Sequence, residues 1–169
     1  IFRDILLPCI LIYTLVLPIL GRYIKIKIIF FNYKFSLREI YLILFSQIFT
    51  LVFFVNLVLK NLWGRSRPGD IVEFDGSEFF TAWFEYSDAC NTNCSFVSGD
   101  ASVGFSIIIL YFITKKIVFV NLSIVFGILL GIIRIIAGGH FSSDIVFAGL
   151  IIILSNLIIY KIYKKYYDY

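Results

Sequence analysis

The 169-residue chain has no methionine, one histidine, three cysteines and three prolines, and only 15% of its residues are charged. An average soluble domain carries ~25% charged residues, so so little charge excludes an ordinary water-soluble fold. Disorder is excluded as well, because a disordered segment is rich in charge and poor in apolar side chains. Eleven scattered glycines exclude a collagen-like helix, and three cysteines are too few for a disulfide scaffold. The missing methionine and the isoleucine at position 1 lead to the expectation of an N-terminally truncated reading frame. Apolar surface is what the chain has in abundance: 60% hydrophobic residues and 19% aromatic ones, with a mean hydropathy of +0.95.

A helix needs roughly 20 predominantly apolar residues to cross a bilayer. Five stretches meet or approach that length, at residues 5–20, 40–59, 96–114, 117–137 and 145–160. The expected fold is all-α, a polytopic transmembrane helix bundle with five spans visible of six. Residues 1–169 are read as a single membrane-embedded domain, with residues 61–95 an outer loop within it. Basic residues set the orientation. Arg22, Lys25, Lys27, Lys34 and Arg38 follow the first span, Lys115 and Lys116 the third, and Lys161, Lys164 and Lys165 the last. Positively charged loops are retained in the cytoplasm. The C-terminus is therefore expected to be cytoplasmic, and loop 61–95 and the 134–143 connection to face the periplasm of a bacterial inner membrane. Residues 24–31, where lysine alternates with isoleucine before two aromatics, read as an interfacial segment.

Cys9 lies in an apolar span and reads as a packed thiol. Cys90 and Cys94 flank Asn-Thr-Asn in the outer loop. An oxidising periplasm favours a short disulfide there, with two free thiols or half of a metal site as the alternatives. The metal is the weakest of the three, since the chain has one histidine and no second cysteine pair.

Three groups at the expected outer ends of spans carry the chemistry. Lys60 and Arg67 share a helix face if the second span continues to Pro68, which ends it. Snorkelling is the bland alternative, but cations are disfavoured on the translocated side. Ser98 is placed to cap the third span, leaving the Gly99 amide and its neighbours free for an anion. Arg134 precedes His140, the sole histidine, and Asp144 follows four residues on. On a helix that spacing puts imidazole and carboxylate on one face. The carboxylate can fix one ring nitrogen and leave the other for nucleophilic or acid–base work; a structural His–Asp cap is the alternative. Together Lys60, Arg67 and Arg134 suit a phosphoryl group, in a pocket that needs neither metal nor cofactor.

Lysine, six residues, Arg-Pro; a Ser-Gly helix start; then arginine, five residues, histidine, three residues, aspartate: this order resembles the type 2 phosphatidic acid phosphatase superfamily, related to vanadium haloperoxidases. The resemblance implies that His140 attacks phosphorus and becomes a phosphohistidine, with Asp144 orienting it. Lys60, Arg67 and Arg134 would bind phosphate oxygens, Ser98 and the Gly99 amide would add donors, and water would hydrolyse the phosphoenzyme. The run Asn93-Cys-Ser-Phe-Val-Ser-Gly99 is also similar to lipid A phosphatase-type members. The implied activity is metal-independent hydrolysis of a lipid phosphate monoester or pyrophosphate at the outer face, lipid A foremost. Undecaprenyl pyrophosphate, phosphatidate and phosphatidylglycerophosphate stay open as substrates. The partners are that lipid and the bilayer, with no obligate protein partner; the basic residues form no stripe for nucleic acid.

The sequence departs from the family pattern in two places. Pro-Ser-Gly-His is replaced by Val97-Ser98-Gly99-Asp100, and Ile133 precedes Arg134 where serine is common. The missing histidine is the residue taken to protonate the leaving alkoxide. Asp100 is the candidate replacement, although an aspartate is ordinarily ionised at pH 7. The alternative is a leaving group that needs little acid, such as a pyrophosphate or an anomeric sugar phosphate. Two other classes compete: a lipid-phosphate-binding protein without turnover, and a bundle whose polar groups line a pathway. The outer-loop aromatics Phe74, Phe79, Phe80, Trp83, Phe84 and Tyr86 read as an interfacial belt, or alternatively as a lid over the site.

Overall fold

The computed structural model describes residues 2–23 and 33–167. The interfacial segment expected at 24–31 lies outside the described residues. Five helices account for the apolar stretches: α1 Phe2–Tyr23, α2 Leu37–Leu62, α3 Gly99–Thr114, α4 Val118–Ile136 and α5 Ser142–Tyr167. Of these, α2, α4 and α5 are long and apolar enough to cross a membrane; the apolar part of α1, Leu7–Leu20, and α3 are shorter. The protein is an all-α membrane helix bundle. Its last helix runs well beyond the apolar 145–160, since a polar first turn and a lysine- and tyrosine-rich tail extend it at both ends.

A capping box starts α2. Ser36 Oγ accepts from the Glu39 amide at 3.2 Å, and Glu39 Oε2 accepts from the Ser36 amide at 2.7 Å. The middle of this helix, Ile48–Leu59, winds as a π-helix before an α-helical last turn, Lys60–Leu62. Contrary to the expectation that it reaches Arg67, α2 stops at Leu62. Trp63 and Gly64 turn the chain under the outer loop, and Gly64 takes a left-handed φ of 69°. A Cβ at Gly64 would lie 1.5 Å from the Ser87 carbonyl oxygen, so only glycine fits.

The middle of the bundle is α3. Every residue from Ala101 to Leu110 is buried, and the helix packs against the other four. Its backbone crosses α4 closely: a Cβ built on Gly104 would sit 2.5 Å from the Gly127 nitrogen. Small residues of this kind let helices approach where lipid supplies no hydrophobic drive for association. Buried polar groups knit the interior. Ser123 Oγ donates to the Phe105 carbonyl at 2.7 Å, Gln47 Nε2 to the Ser106 carbonyl at 3.3 Å, and Ser46 Oγ to Asn156 Oδ1. Outward faces are apolar, with Val125, Ile128 and Ile132 on α4 and Val146, Leu150 and Leu154 on α5 exposed. Cys9 belongs to that outward surface too. It is exposed, like Ile5 and Ile12, and is not the packed thiol expected, because no helix among the described residues covers this face of α1.

Four helix ends meet at one end of the bundle. The Cys94 amide donates to the Lys60 carbonyl at 3.0 Å, the Ser98 amide to the Asp144 carbonyl at 3.3 Å and the Gly69 amide to the Gly138 carbonyl at 3.0 Å. These bonds tie the end of α2 to the approach to α3, the start of α3 to that of α5, and the α2–α3 loop to the α4–α5 turn. Aromatic rings strap the loop between α2 and α3 over this end: Trp83 stacks on Phe147 with centroids 4.1 Å apart, and Trp63 on Phe96 at 5.0 Å.

Candidate active site

The turn joining α4 to α5 carries His140. Because α5 begins at Ser142, His140 lies just outside the helix that holds Asp144, and the two do not share a helix face as expected. The turn nevertheless folds the imidazole back over the start of α5. His140 Nδ1 is 3.6 Å from Asp144 Oδ2, but 2.7 Å from the Ser95 carbonyl oxygen, which is its nearer acceptor. A carbonyl can only accept, so Nδ1 carries the proton and Nε2 keeps the lone pair.

Asp144 is fully buried and held by donors from three segments. Ser95 Oγ donates to Oδ2 at 2.5 Å, the Phe141 amide to the same oxygen at 2.9 Å, and Arg65 Nη1 to Oδ1 at 2.6 Å. Burial pushes His140 below the ordinary imidazole range. The Asp144 carboxylate opposes that shift, and the positive charges of Lys60 and Arg67 add to it. The ring is therefore neutral at neutral pH, the form in which nitrogen is a nucleophile.

Lys60 and Arg67 converge by another route than a common helix face. Lys60 Nζ donates to Asn93 Oδ1 at 3.1 Å, and Arg67 Nη2 to the Asn93 carbonyl at 2.7 Å. Asn93 lies inside the short loop closed by the Cys90–Cys94 disulfide, whose Cα atoms are 5.6 Å apart. Ser98 caps α3, its Oγ accepting from the Ala101 amide at 3.4 Å. A Cβ on Gly99 would stand 3.3 Å from Lys60 Nζ, so the ammonium lies against the first turn of α3. Arg134 Nε is 3.4 Å from Asp100 Oδ2, an ion pair without hydrogen-bond alignment. Its guanidinium rests on Gly139, where a Cβ would be 2.4 Å from Nη2.

The eight residues singled out in the sequence thus lie at the same end of the bundle. Arg65 and Ser95 were missed. Arg65 sits in Gly-Arg-Ser-Arg beside Arg67, and the repetition of arginine was the only sign available. Among the described residues no group of three or more His, Cys, Asp and Glu side chains is gathered for a metal ion.

The fold and site define an integral membrane helix bundle with Lys60, Arg67, Arg134 and a buried histidine gathered at one end. The chain belongs to the PAP2 superfamily, whose family profile matches residues 40–168. Over 116 residues it is 41% identical to a lipid A 4′-phosphatase of Francisella tularensis subsp. novicida, covering 66% of this chain and 52% of that protein. It is 35% identical over 112 residues to a lipid A 4′-phosphatase of Rhizobium leguminosarum, covering 64% of this chain and 46% of that relative. A lipid A 4′-phosphatase of Rhizobium etli is 34% identical over 112 residues, covering 64% and 42%. The chain spans about half the length of the first of these curated relatives and less of the other two. No solved structure matches it.

Proposed function

We propose that this chain hydrolyses a phosphate monoester of lipid A at the outer face of a bacterial inner membrane, through a phosphohistidine. The observation that carries this reading is a neutral, buried His140 beside the converging cations Lys60 and Arg67. Cationic donors aimed where charge develops on a transferring phosphoryl group are the main source of its stabilisation. His140 Nε2 attacks phosphorus, an N–P bond forms, and the P–O bond to the sugar breaks with its electron pair on the sugar oxygen, which takes up a proton from water. Lys60, Arg67 and Arg134 hold the phosphoryl oxygens, with Ser98 and the Gly99 amide at the start of α3 as further donors. The phosphorylated ring keeps its Nδ1 proton and becomes cationic, and Asp144 stabilises that charge. Water then hydrolyses the N–P bond and restores the neutral ring.

The relatives' names favour the 4′-phosphate. That position is an ordinary secondary sugar ester, so a leaving group needing no acid is not the explanation for the missing histidine at position 100. Asp100 instead serves Arg134, with which it is paired. Phosphate release by the full-length protein from lipid A, undecaprenyl pyrophosphate and phosphatidic acid tests this reading, with and without chelator. Release from lipid A is expected, together with an acid-labile phosphoenzyme that is absent in His140→Ala. Release that persists in His140→Ala rejects the mechanism. Binding of all three lipids without release from any of them selects the binding-only protein.

A further inference from the structure

Arg65 has no part in the mechanism above, yet it is the largest fully buried side chain among the described residues. A buried guanidinium is tolerated only when charge and donors are both satisfied. Here Nη1 donates to Asp144 Oδ1 at 2.6 Å and to Ser143 Oγ at 2.8 Å, and Nε donates to the Thr81 carbonyl at 2.9 Å. The Phe141 ring lies 4.1 Å from its Cζ, and the Phe80 ring 5.6 Å away on the other loop. At 2% exposure it is closed off from a substrate phosphate, unlike a pocket cation. What it touches is the carboxylate that faces the histidine.

We propose that Arg65 is a positioning residue of this site: it holds Asp144 away from His140, so that the Ser95 carbonyl takes the Nδ1 proton and Nε2 is left as the nucleophile. The proposal rests on the phosphohistidine reading for its catalytic consequence, but the clamp itself is a property of the resting protein. The charged groups around the ring come from several elements. Asp144 faces it from α5, Lys60 from α2 and Arg67 from the outer loop. Arg65 stands behind Asp144, while Arg134 and Asp100 pair with each other across α4 and α3. Removing the Arg65 charge leaves the Asp144 anion uncompensated and takes a cation from the neighbourhood. Both changes favour the protonated ring.

His140 is the one histidine of these 169 residues, and in histidine-selective 15N spectra of the protein on a histidine-free affinity tag its ring is assigned by its loss in His140→Ala. The wild type should show the neutral ring protonated on Nδ1 at pH 7. In Arg65→Gln, which keeps amide donors in place of the guanidinium, the titration midpoint should rise by about one unit. In the same variant kcat on lipid A should fall at least tenfold with KM within about twofold. Arg65→Lys should restore the midpoint while recovering kcat only in part, because a lysine cannot reproduce the planar fork. A wild-type ring protonated on Nε2, an unchanged midpoint in Arg65→Gln, or a loss confined to KM each overturn the proposal. The expected spectra in a protein that forms no phosphoenzyme would reject the phosphatase reading and leave the clamp standing. If Arg65→Gln does not fold, the wild-type tautomer, together with a kcat loss at unchanged KM in Arg65→Lys, carries the decision.

Discussion

Replacing Gly139 by alanine separates the geometry of the pocket from the stability of the bundle. A Cβ there would lie 2.4 Å from Arg134 Nη2 and 2.8 Å from Cζ, whereas ordinary contact begins at 3.4 Å. The guanidinium must therefore retreat by about 1 Å, a displacement that can cost ~100-fold when it moves a substrate-positioning group. In transition-state terms that is about 2.7 kcal/mol. The fold has little reason to suffer, because Gly139 does not occupy the left-handed region and the obstacle is the free end of a flexible side chain. Gly138→Ala is the opposite case. Its φ of 65° is strained for alanine, at a cost of about 1–2 kcal/mol, but no atom outside its own neighbours comes within 3.8 Å. The assay is kcat/KM on lipid A alongside thermal unfolding in the same detergent. Gly139→Ala should lose activity ~100-fold at an unchanged melting temperature, while Gly138→Ala should melt earlier and stay within about threefold of wild-type activity. Full activity in Gly139→Ala would show that Arg134 need not be held where the structure puts it, and the pocket argument would fall.

The depressed His140 pKa fixes the sign of a pH dependence. The active ring is neutral, so kcat/KM should hold at pH 7 and fall only as pH drops below the ordinary 6.5 through the lower native value. Over that window the unfolded chain binds the proton first, so stability falls with pH as well; Lys60→Met, which removes a cation that lowers the pKa, should move the acid limb upward in a pH–rate profile. Reducing Cys90–Cys94 should loosen the loop by about 2 kcal/mol and lower activity through Asn93, and a Cys90→Ser, Cys94→Ser protein should match the reduced enzyme and ignore reductant. Asp100→Asn and Asp100→His should each lose about tenfold in kcat/KM, since neither pairs with Arg134 as a carboxylate does; retention of activity in Asp100→His alone would mark position 100 as the general acid instead.

The bundle was legible because bilayer thickness dictates runs of about 20 apolar residues, a signal that survives without any knowledge of packing. The ends of the helices were less so. A left-handed Gly64 just past Trp63 stops α2 at Leu62, a local signal that the reading to Pro68 passed over. Likewise α5 starts at Ser142, which detaches His140 from a helix that its spacing to Asp144 had implied. The pairing of Lys60 with Arg67 was right as a grouping and wrong in its cause, since Asn93 in the closed loop draws them together. Spacing from Lys60 and the following Pro68 singled out Arg67, but nothing in the sequence marked Arg65 as the buried guanidinium, because only the fold decides that. The Ser95 carbonyl is a backbone atom, which side-chain chemistry in a sequence never displays.

The charges of the site fall into two sets with different energetics. Arg65 and Asp144 form a closed set, both buried and each bonded to neutral donors or acceptors as well as to the other. Such a pair adds little net stability, but removing one partner strands a buried charge at a cost of about 3–5 kcal/mol. Its value lies in fixing geometry. Lys60 and Arg67 form a second set and both bond to Asn93, through its side-chain and backbone oxygens. Hydrogen bonds from a cation to an ionised oxygen are roughly twice as strong as neutral ones, so on the proposed function a phosphate competes well with Asn93 for both. Arg134, 18% exposed, differs from both in being paired with a carboxylate, that of Asp100. On the proposed mechanism the Arg65–Asp144 pair fixes the His140 ring while Lys60 and Arg67 meet the substrate, and the Gly-Arg-Ser-Arg run places one cation of each kind two residues apart.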